Sequence, residues 1–295
     1  MELFKTSSDV VTLDQLSEAF SKLDLKGKDV LIYSRLLSFG RVKSLDAIEV
    51  FIETLIDNIG PEGTLIIPTY TLNCYEERIF DLNKSKIMSG ILGEIASRDE
   101  KFIRTIHPVY SNVIIGYNKD IFYRQNASTC FGDGSFFDIF SKNKNGVVLM
   151  AGLNFNGPTL YHYYDQKFEA SGRFIKQFNI NMVLGDHVFD MTFDSFVKDR
   201  DFYFEKMNCL ARFDALAKEL NLVQSVQLGD DFIHMITEKN FQELYRVVLE
   251  VDQNYFLLSS EDLWDTYYLK NEFGCLHGKI DKSKVDLVRS KINLF

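Results

Sequence analysis

The stretch Asp29–Pro68 does most to limit the folds open to this chain of 295 residues. Asp29-Val-Leu-Ile-Tyr33 and Thr64-Leu-Ile-Ile67 are short apolar runs of the kind that form strands buried on both faces. Between them Leu45, Ile48, Ile52, Leu55, Ile56 and Ile59 recur at helical spacing. Ser44 stands where an N-cap belongs, and Gly60-Pro61 stops the helix. Strand, helix and strand in succession read as a βαβ unit, so the sheet begins with a parallel pair.

The flanking sequence supplies the rest of an α/β protein. Thr12-Leu-Asp-Gln15 is a capping box for a helix that turns Leu16, Phe20 and Leu23 inward and ends near Lys26-Gly27. Ser89–Arg98 reads as a short helix, and Asn112–Tyr117 and Val147–Ala151 as strands. Alternating apolar residues on either side of Gly185-Asp186, and again around Gly229-Asp-Asp231, predict two hairpins. Phe202–Leu220 reads as mostly helical, and Phe241–Val251 as a helix. No repeat, low-complexity tract or linker interrupts the chain. The expected fold is α/β, a mixed central sheet flanked by helices, with a hairpin-bearing subdomain. One domain over 1–295 is expected, with its parts at about 1–175, 176–250 and 251–295.

The formal net charge of −9 argues against a nucleic-acid or anionic-membrane surface and suits a cationic or amine-bearing substrate. Cys74, Cys130, Cys209 and Cys275 are scattered without a CxxC pair, which speaks against zinc and for a reducing compartment. No metal is expected. No apolar run reaches the ~18 residues of a membrane span, and the N-terminus lacks a signal-peptide core, so a cytoplasmic location is expected.

Chemistry concentrates in a few places. After Val147–Ala151 the chain passes Gly152 and an Asn/Gly/Pro turn into a predicted helix, with Asn156 as its expected N-cap. Thr159, His162 and Asp165 recur every third residue and share one helix face. An imidazole with a carboxylate one turn on can act as an oriented general base, and a helix start helps keep that base neutral. Alone, the spacing favours the plainer reading of a surface His–Asp pair on an ordinary helix, since it is common by chance. Ser34–Gly40 follows a strand and precedes a helix, where open α/β sheets bind ligands, and Arg35, Arg41 and Lys43 add positive charge there. It is neither GxGxxG nor GxxxxGK[ST], so the standard dinucleotide and triphosphate readings fail. His107-Pro108 marks a break, with Ser111 shortly after; the histidine could bind a ligand or merely satisfy a loop carbonyl. Cys130 with His107 as thiol and base is a weaker alternative, and Asp194, Asp199, Asp201 and Glu205 form an acidic cluster.

Five motifs together resemble the aminoglycoside 3-N-acetyltransferase family, whose fold is unrelated to that of the GNAT acetyltransferases. They are Val30-Leu-Ile-Tyr-Ser-Arg-Leu-Leu-Ser-Phe-Gly-Arg-Val42, Ile59-Gly-Pro-Glu-Gly-Thr-Leu-Ile-Ile-Pro-Thr-Tyr-Thr71 and Arg104-Thr-Ile-His-Pro-Val-Tyr-Ser111, then Phe131-Gly-Asp-Gly-Ser135 and Thr159-x-x-His162-x-x-Asp165. They stand in the family's order over about residues 12–170, and Leu228-Gly-Asp230 extends the match weakly to about 250. Asp165 stands where the family usually has Glu, with Glu169 one turn on as a second carboxylate. Arg35 replaces a usual serine and Phe136 a usual proline.

The resemblance implies an antibiotic N-acetyltransferase-like fold and transfer of an acetyl or other short acyl group from CoA to an amine. Ser34, Arg35, Leu36, Ser38, Phe39 and Gly40 would cradle CoA, with Thr69, Thr71, His107 and Ser111 lining the cradle. His162 would be the catalytic base and Asp165 its orienting acid. Thr159 would help steady the oxyanion, and Tyr70, Asp133 and Glu169 would join it on the acceptor side. The preferred acceptor is an amino sugar, nucleotide-linked and destined for a surface polysaccharide, met by Tyr161, Tyr163, Tyr164 and Arg173. An aminoglycoside acceptor, conferring antibiotic resistance, is the alternative. A CoA- or sugar-binding homologue without turnover is a third reading, and a homodimer is left open.

Overall fold

The computed structural model describes residues 1–202, 206–259 and 282–292. The chain opens with β1 (Glu2–Lys5) and β2 (Val10–Thr12), and Thr12 and Gln15 close a capping box on α1 (Leu13–Ser21). β3 (Asp29–Ser34) runs into a 3₁₀ turn at Leu36–Phe39 and then β4 (Arg41–Val42). α2 (Leu45–Ile59) starts on the Ser44 hydroxyl, which accepts the Ala47 N–H, and stops at Gly60, whose φ of 72° suits glycine. β5 (Thr64–Pro68), α3 (Cys74–Glu77), β6 (Ile79–Asp81), α4 (Ile91–Ala96), β7 (Ile103–Arg104) and β8 (Asn112–Gly116) follow. Next come α5 (Lys119–Tyr123), α6 (Phe136–Ser141), β9 (Gly146–Ala151), α7 (Leu160–Lys167), β10 (Arg173–Leu184) and β11 (His187–Lys198). β12 (Lys206–Asn208), α8 (Ala211–Glu219), β13 (Gln224–Leu228), β14 (Asp231–Thr237), α9 (Glu238–Val251), β15 (Leu257–Ser259) and α10 (Lys282–Lys291) complete the described elements.

The chain parts into two compact units, each assembled from separate segments. The first comprises Met1–Leu153, Gln177–Ser195 and Gln224–Glu238. Its main sheet has seven strands in the order β13-β14-β9-β3-β5-β8-β7. β3 lies parallel to both β5 and β9, with Asp29 opposite Thr64 and Gly146, as the βαβ reading predicts. β8 and β14 join antiparallel on either side. Every residue of β5 and β9 is buried, which explains why their sequences are unbroken apolar runs. Leu16, Phe20, Ile48, Phe51 and Leu55 share one apolar cluster with Val30, Ile32, Leu65 and Leu149. Phe51 meets Phe20 edge-on at 5.3 Å between ring centres. Burying each such side chain contributes about 1.5–3 kcal/mol.

The second unit comprises Asn154–Lys176, Phe196–Val223 and the described residues from Lys239 onward. Its interior is aromatic. Phe213 lies 4.6 Å from Phe241 and 5.2 Å from Tyr161, and Tyr245 stacks on Phe256 at 4.8 Å. Such pairs add about 0.5–1.5 kcal/mol each beyond the area they bury.

Three expectations change. The hairpin β13–β14 is part of the main sheet rather than of a separate subdomain, because β14 finds its partner in the distant β9. The helix expected from Phe202 begins only at Ala211, since β12 pairs with β15 instead. His162 and Asp165 fall in the second unit and the predicted CoA loop in the first, not in one continuous part over 1–175. Cys275, His277, Glu205 and most of the 251–295 extension lie outside the described residues.

Candidate active site

α7 starts later than its sequence suggests. Thr159, in helical conformation and without a side-chain cap bond, precedes Leu160, so Asn156 is not the N-cap. Pro158 disfavours a helical conformation at Gly157, which argues against a helix that is capped by Asn156 and begins at Gly157. The first turn is tight, with the N–H groups of Tyr161 and His162 bonding to the carbonyls of Pro158 and Thr159 at 3.2 and 2.9 Å. At the other end Glu169 takes a left-handed φ of 53°. Its N–H bonds to the Gln166 carbonyl and that of Ala170 to the Asp165 carbonyl, which is a Schellman ending. Glu169 is therefore the exposed terminator of the helix, and the carboxylate that reaches the imidazole is that of Asp165.

The surroundings of Asp165 come from its own helix and from two further places in the second unit. His162 Nδ1 lies 3.4 Å from Asp165 Oδ2, and Arg173 Nη2 lies 3.0 Å from the same oxygen. Tyr245, on α9, donates its hydroxyl to Oδ1 at 2.5 Å. Arg173 Nη1 also donates to the Phe196 carbonyl at 3.4 Å. The Asp165 residue is 7 % exposed, whereas the His162 side chain is 34 % exposed. Burial is the largest influence on the Asp165 carboxyl and works to raise its pKa. The His162 hydrogen bond, the charges of Arg173 and the imidazole, and the Tyr245 hydroxyl outweigh it, so the carboxyl is held below its usual range. With Asp165 ionised, Nδ1 is the nitrogen that carries the proton and Nε2 the one that keeps its lone pair. This is a base with a fixed tautomer and partial access to solvent. Thr159 lies half-buried at the head of the same helix.

Sequence reasoning pairs His162 with Asp165 but misses the roles of Arg173 and Tyr245 beside them, because no local spacing links residues so far apart. It also assigns Tyr161, Tyr163, Tyr164 and Arg173 to a nucleotide-linked sugar. Tyr161 and Tyr164 are 0 % exposed, Tyr163 is 4 % exposed and the Arg173 side chain 3 %, so these groups build the interior instead.

In the first unit, Ser34–Gly40 forms a loop held by its apolar members. Leu36 and Phe39 are buried in the main core, while Arg35 is exposed and Ser34 and Ser38 are half-buried. The Arg35 N–H bonds to the Ala151 carbonyl at 2.8 Å, which ties the loop to the end of β9. Gly152 has a φ of 68°, and a Cβ there would meet the Arg35 carbonyl oxygen at 2.5 Å. Glycine is required by this close approach.

Thr69, Thr71, His107 and Ser111 come together but are all buried. The N–H groups of Thr69 and Thr71 bond to the carbonyls of Ser111 and Val109 at 2.9 Å each. The Ser111 hydroxyl donates to the Thr69 carbonyl at 2.8 Å, and the Thr71 hydroxyl to that of Pro108 at 2.8 Å. Arg104 Nη2 donates to Ser111 Oγ at 3.1 Å. His107 Nδ1 accepts the N–H groups of Val109 and Tyr110 at 3.0 and 2.9 Å. Burial, only partly offset by the Thr129 backbone, pushes the His107 pKa down to about 4. These polar atoms brace the backbone that follows β5 and precedes β8. Tyr70 is buried, its hydroxyl 3.3 Å from that of Tyr33, and Asp133 is exposed in the glycine-rich turn. Burial pushes the Cys130 thiol up to about 12, so no thiolate is available there. Asp194 accepts the Thr129 hydroxyl at 2.5 Å, and Asp199 accepts the Asp201 N–H at 2.9 Å. Among the described residues, no group of His, Cys, Asp and Glu is placed to hold a metal, and no helix is long and apolar enough to cross a membrane.

The sequence profile of the aminoglycoside 3-N-acetyltransferases matches residues 31–250. No curated protein matches significantly. Among solved structures, AAC-IIIb in binary complex with CoASH superposes with a TM-score of 0.67 at 19 % identity, covering 81 % of this chain and 96 % of that one. Aminoglycoside acetyltransferase AAC(3)-IVa, as apoenzyme, gives a TM-score of 0.66 at 18 % identity over 94 % of this chain and 96 % of its own. YokD from Bacillus subtilis gives 0.65 at 17 % identity over 80 % and 92 %. At these identities the superpositions establish the fold, and the profile match establishes the kinship. The chain belongs to the aminoglycoside 3-N-acetyltransferase family, whose enzymes are CoA-dependent N-acetyltransferases.

Proposed function

We propose that this protein transfers the acetyl group of acetyl-CoA to an amino group of an aminoglycoside, with His162 as general base. The observation that carries the reading is the half-exposed His162 imidazole backed by the ionised Asp165. An amine on such a sugar is largely protonated near neutral pH and must lose a proton before it can attack. His162 Nε2 accepts a proton from the attacking nitrogen, and Asp165 holds the ring and stabilises the imidazolium that results. Bound acetyl-CoA supplies a thioester whose C–S bond breaks as the amide C–N bond forms, and CoA leaves as the thiol. Thr159, at the head of the same helix, is the hydroxyl proposed to assist the developing oxyanion.

The loop Ser34–Gly40 is the proposed CoA cradle. Its fit rests on the exposed Arg35 guanidinium and the Ser34 and Ser38 hydroxyls, which suit a diphosphate, and on the anchors Leu36 and Phe39. Gly40 ends the turn with a φ of 133°. Thr69, Thr71, His107 and Ser111 are proposed to support that cradle by bracing the backbone that follows β5 and precedes β8, and Tyr70 and Asp133 are proposed acceptor contacts of the first unit. Aminoglycosides are preferred to nucleotide-linked amino sugars because the groups that would stack on a base or pair with a diphosphate are interior. The net charge of −9 suits a polycation better than a polyanion. A structure of the similar AAC-VIa carries sisomicin, which makes that drug a natural first acceptor to assay.

The test is thiol release from acetyl-CoA with sisomicin, gentamicin and kanamycin set against nucleotide-linked amino sugars. Turnover with the aminoglycosides, lost in His162→Ala while CoA still binds, is expected. Turnover confined to the nucleotide sugars, or full activity in His162→Ala, would overturn the reading.

A further inference from the structure

Both oxygens of Asp165 are engaged, and only one of their partners is the imidazole. Oδ2 is shared between His162 Nδ1 and Arg173 Nη2 at 3.4 and 3.0 Å, while Oδ1 takes the Tyr245 hydroxyl at 2.5 Å. The Arg173 side chain is 3 % exposed and Tyr245 1 %. We propose that Arg173 and Tyr245 are positioning residues of the proton-handling pair. Tyr245 locks the rotation of the Asp165 carboxylate, and Arg173 tempers its charge and so the pull it exerts on the imidazole proton. The role rests on the proposed function of His162 as general base.

The electrostatic sense is fixed by geometry. A carboxylate at hydrogen-bond distance favours imidazolium, and a guanidinium on the same oxygen opposes it. The pair titrates as a unit, so removing the cation raises the pH at which the pair first takes up a proton, whichever residue holds it. Lys198 also acts on this centre: the positive charge of Arg173 helps lower its pKa, behind burial as the larger cause, and Asp165 works to raise it. Among the described residues Tyr161 is a further titratable group here, and burial, followed by the charges of Asp214 and Asp165, holds its hydroxyl neutral. Among the described residues, Arg173 is thus the fixed cation nearest the shared oxygen.

Three variants test the proposal: Arg173→Gln, Arg173→Lys and Tyr245→Phe. Each is followed by the pH dependence of kcat and by NMR titration of the His162 ring, which needs no turnover. Arg173→Gln should move the acid limb of kcat and the His162 titration up by about one pH unit, with KM for acetyl-CoA changed less than about threefold. Arg173→Lys keeps the charge and should hold the titration near the wild-type value while kcat falls. Tyr245→Phe should lower kcat about tenfold and shift the titration upward by less than Arg173→Gln does. If Arg173→Gln does not fold, Arg173→Lys and Tyr245→Phe carry the test. Wild-type kcat and an unmoved His162 titration in the folded variants would overturn the proposal. If instead the wild type turns over no amine, the enzymatic reading fails, and the titration still decides whether Arg173 and Tyr245 tune the pair.

Discussion

Asp165 and Tyr245 stand eighty positions apart, yet the tyrosine hydroxyl donates to the carboxylate at 2.5 Å inside the aromatic interior of the second unit. That bond, with Arg173 on the other oxygen, makes Asp165 an acid whose orientation is decided by α9 and β10 as well as by its own helix. Several measurable consequences depend on it and on the loop at Arg35.

Replacing His162 by Gln removes the base and keeps a polar side chain of similar reach. A fall in kcat of about 10²–10⁴ is expected, the usual contribution of a positioned general base. Binding of acetyl-CoA, measured by calorimetry, should be unchanged. Loss of CoA binding in this variant would contradict the division of labour between His162 and the Arg35 loop.

Asp165→Asn keeps the shape but removes the charge that Arg173 faces. The guanidinium then loses its 3.0 Å ion pair with that carboxylate, and breaking a buried pair costs about 3–5 kcal/mol. A fall in the urea midpoint should accompany the loss of activity. An Asn variant as stable as the wild type would show that Arg173 does not depend on Asp165.

Gly152→Ala tests the tie between β9 and the Arg35 loop. The new Cβ would meet the Arg35 carbonyl oxygen at 2.5 Å and Ser38 Cβ at 3.0 Å, at a φ of 68°. A destabilisation of about 1–3 kcal/mol is expected from strain of this kind. If the loop cradles CoA, KM for acetyl-CoA should rise while kcat at saturation falls less.

His107 makes a pH-dependent contribution to stability. Its folded-state pKa of about 4 lies below the ordinary 6.5, so the unfolded chain binds more protons between those values. The contribution is fully present above pH ~6.5 and is lost as pH falls through ~4, on the order of 3 kcal/mol in all. In His107→Asn the Oδ1 can still accept an N–H of the turn, and the slope of stability against pH in this window should flatten. Chemical denaturation at a series of pH values reads it directly, and an unchanged slope would assign the acid sensitivity elsewhere.

Much of the fold is legible in the sequence because it is local. The capping box, the Ser44 cap, the Gly60 stop and the unbroken apolar runs of β3 and β5 are short-range features, and each reappears where its chemistry calls for it. The start of α7 is harder to place, because Asn156 satisfies a cap preference while Pro158 disfavours a helix that reaches it. The second hairpin defies assignment to its proper layer, because its alternation says that it is half-buried but not against what. Of the candidate site, the order of five motifs along the chain points to the family, and the three-residue spacing puts His162 and Asp165 together.

By itself, then, the sequence determined the βαβ start of the sheet, the helix boundaries marked by caps and glycines, and the His162–Asp165 pairing, since all of these follow from spacing within a few turns of chain. Tertiary structure alone decided that β9 lies beside β3, that Tyr161 and Tyr164 are core rather than surface, and that Arg173 and Tyr245 close around Asp165. Periodicity tells which face of an element is buried, but the partner that buries it is chosen by packing among segments distant in the chain. For Asp165, that choice supplied the cation and the hydroxyl that keep a buried carboxylate ionised beside its histidine.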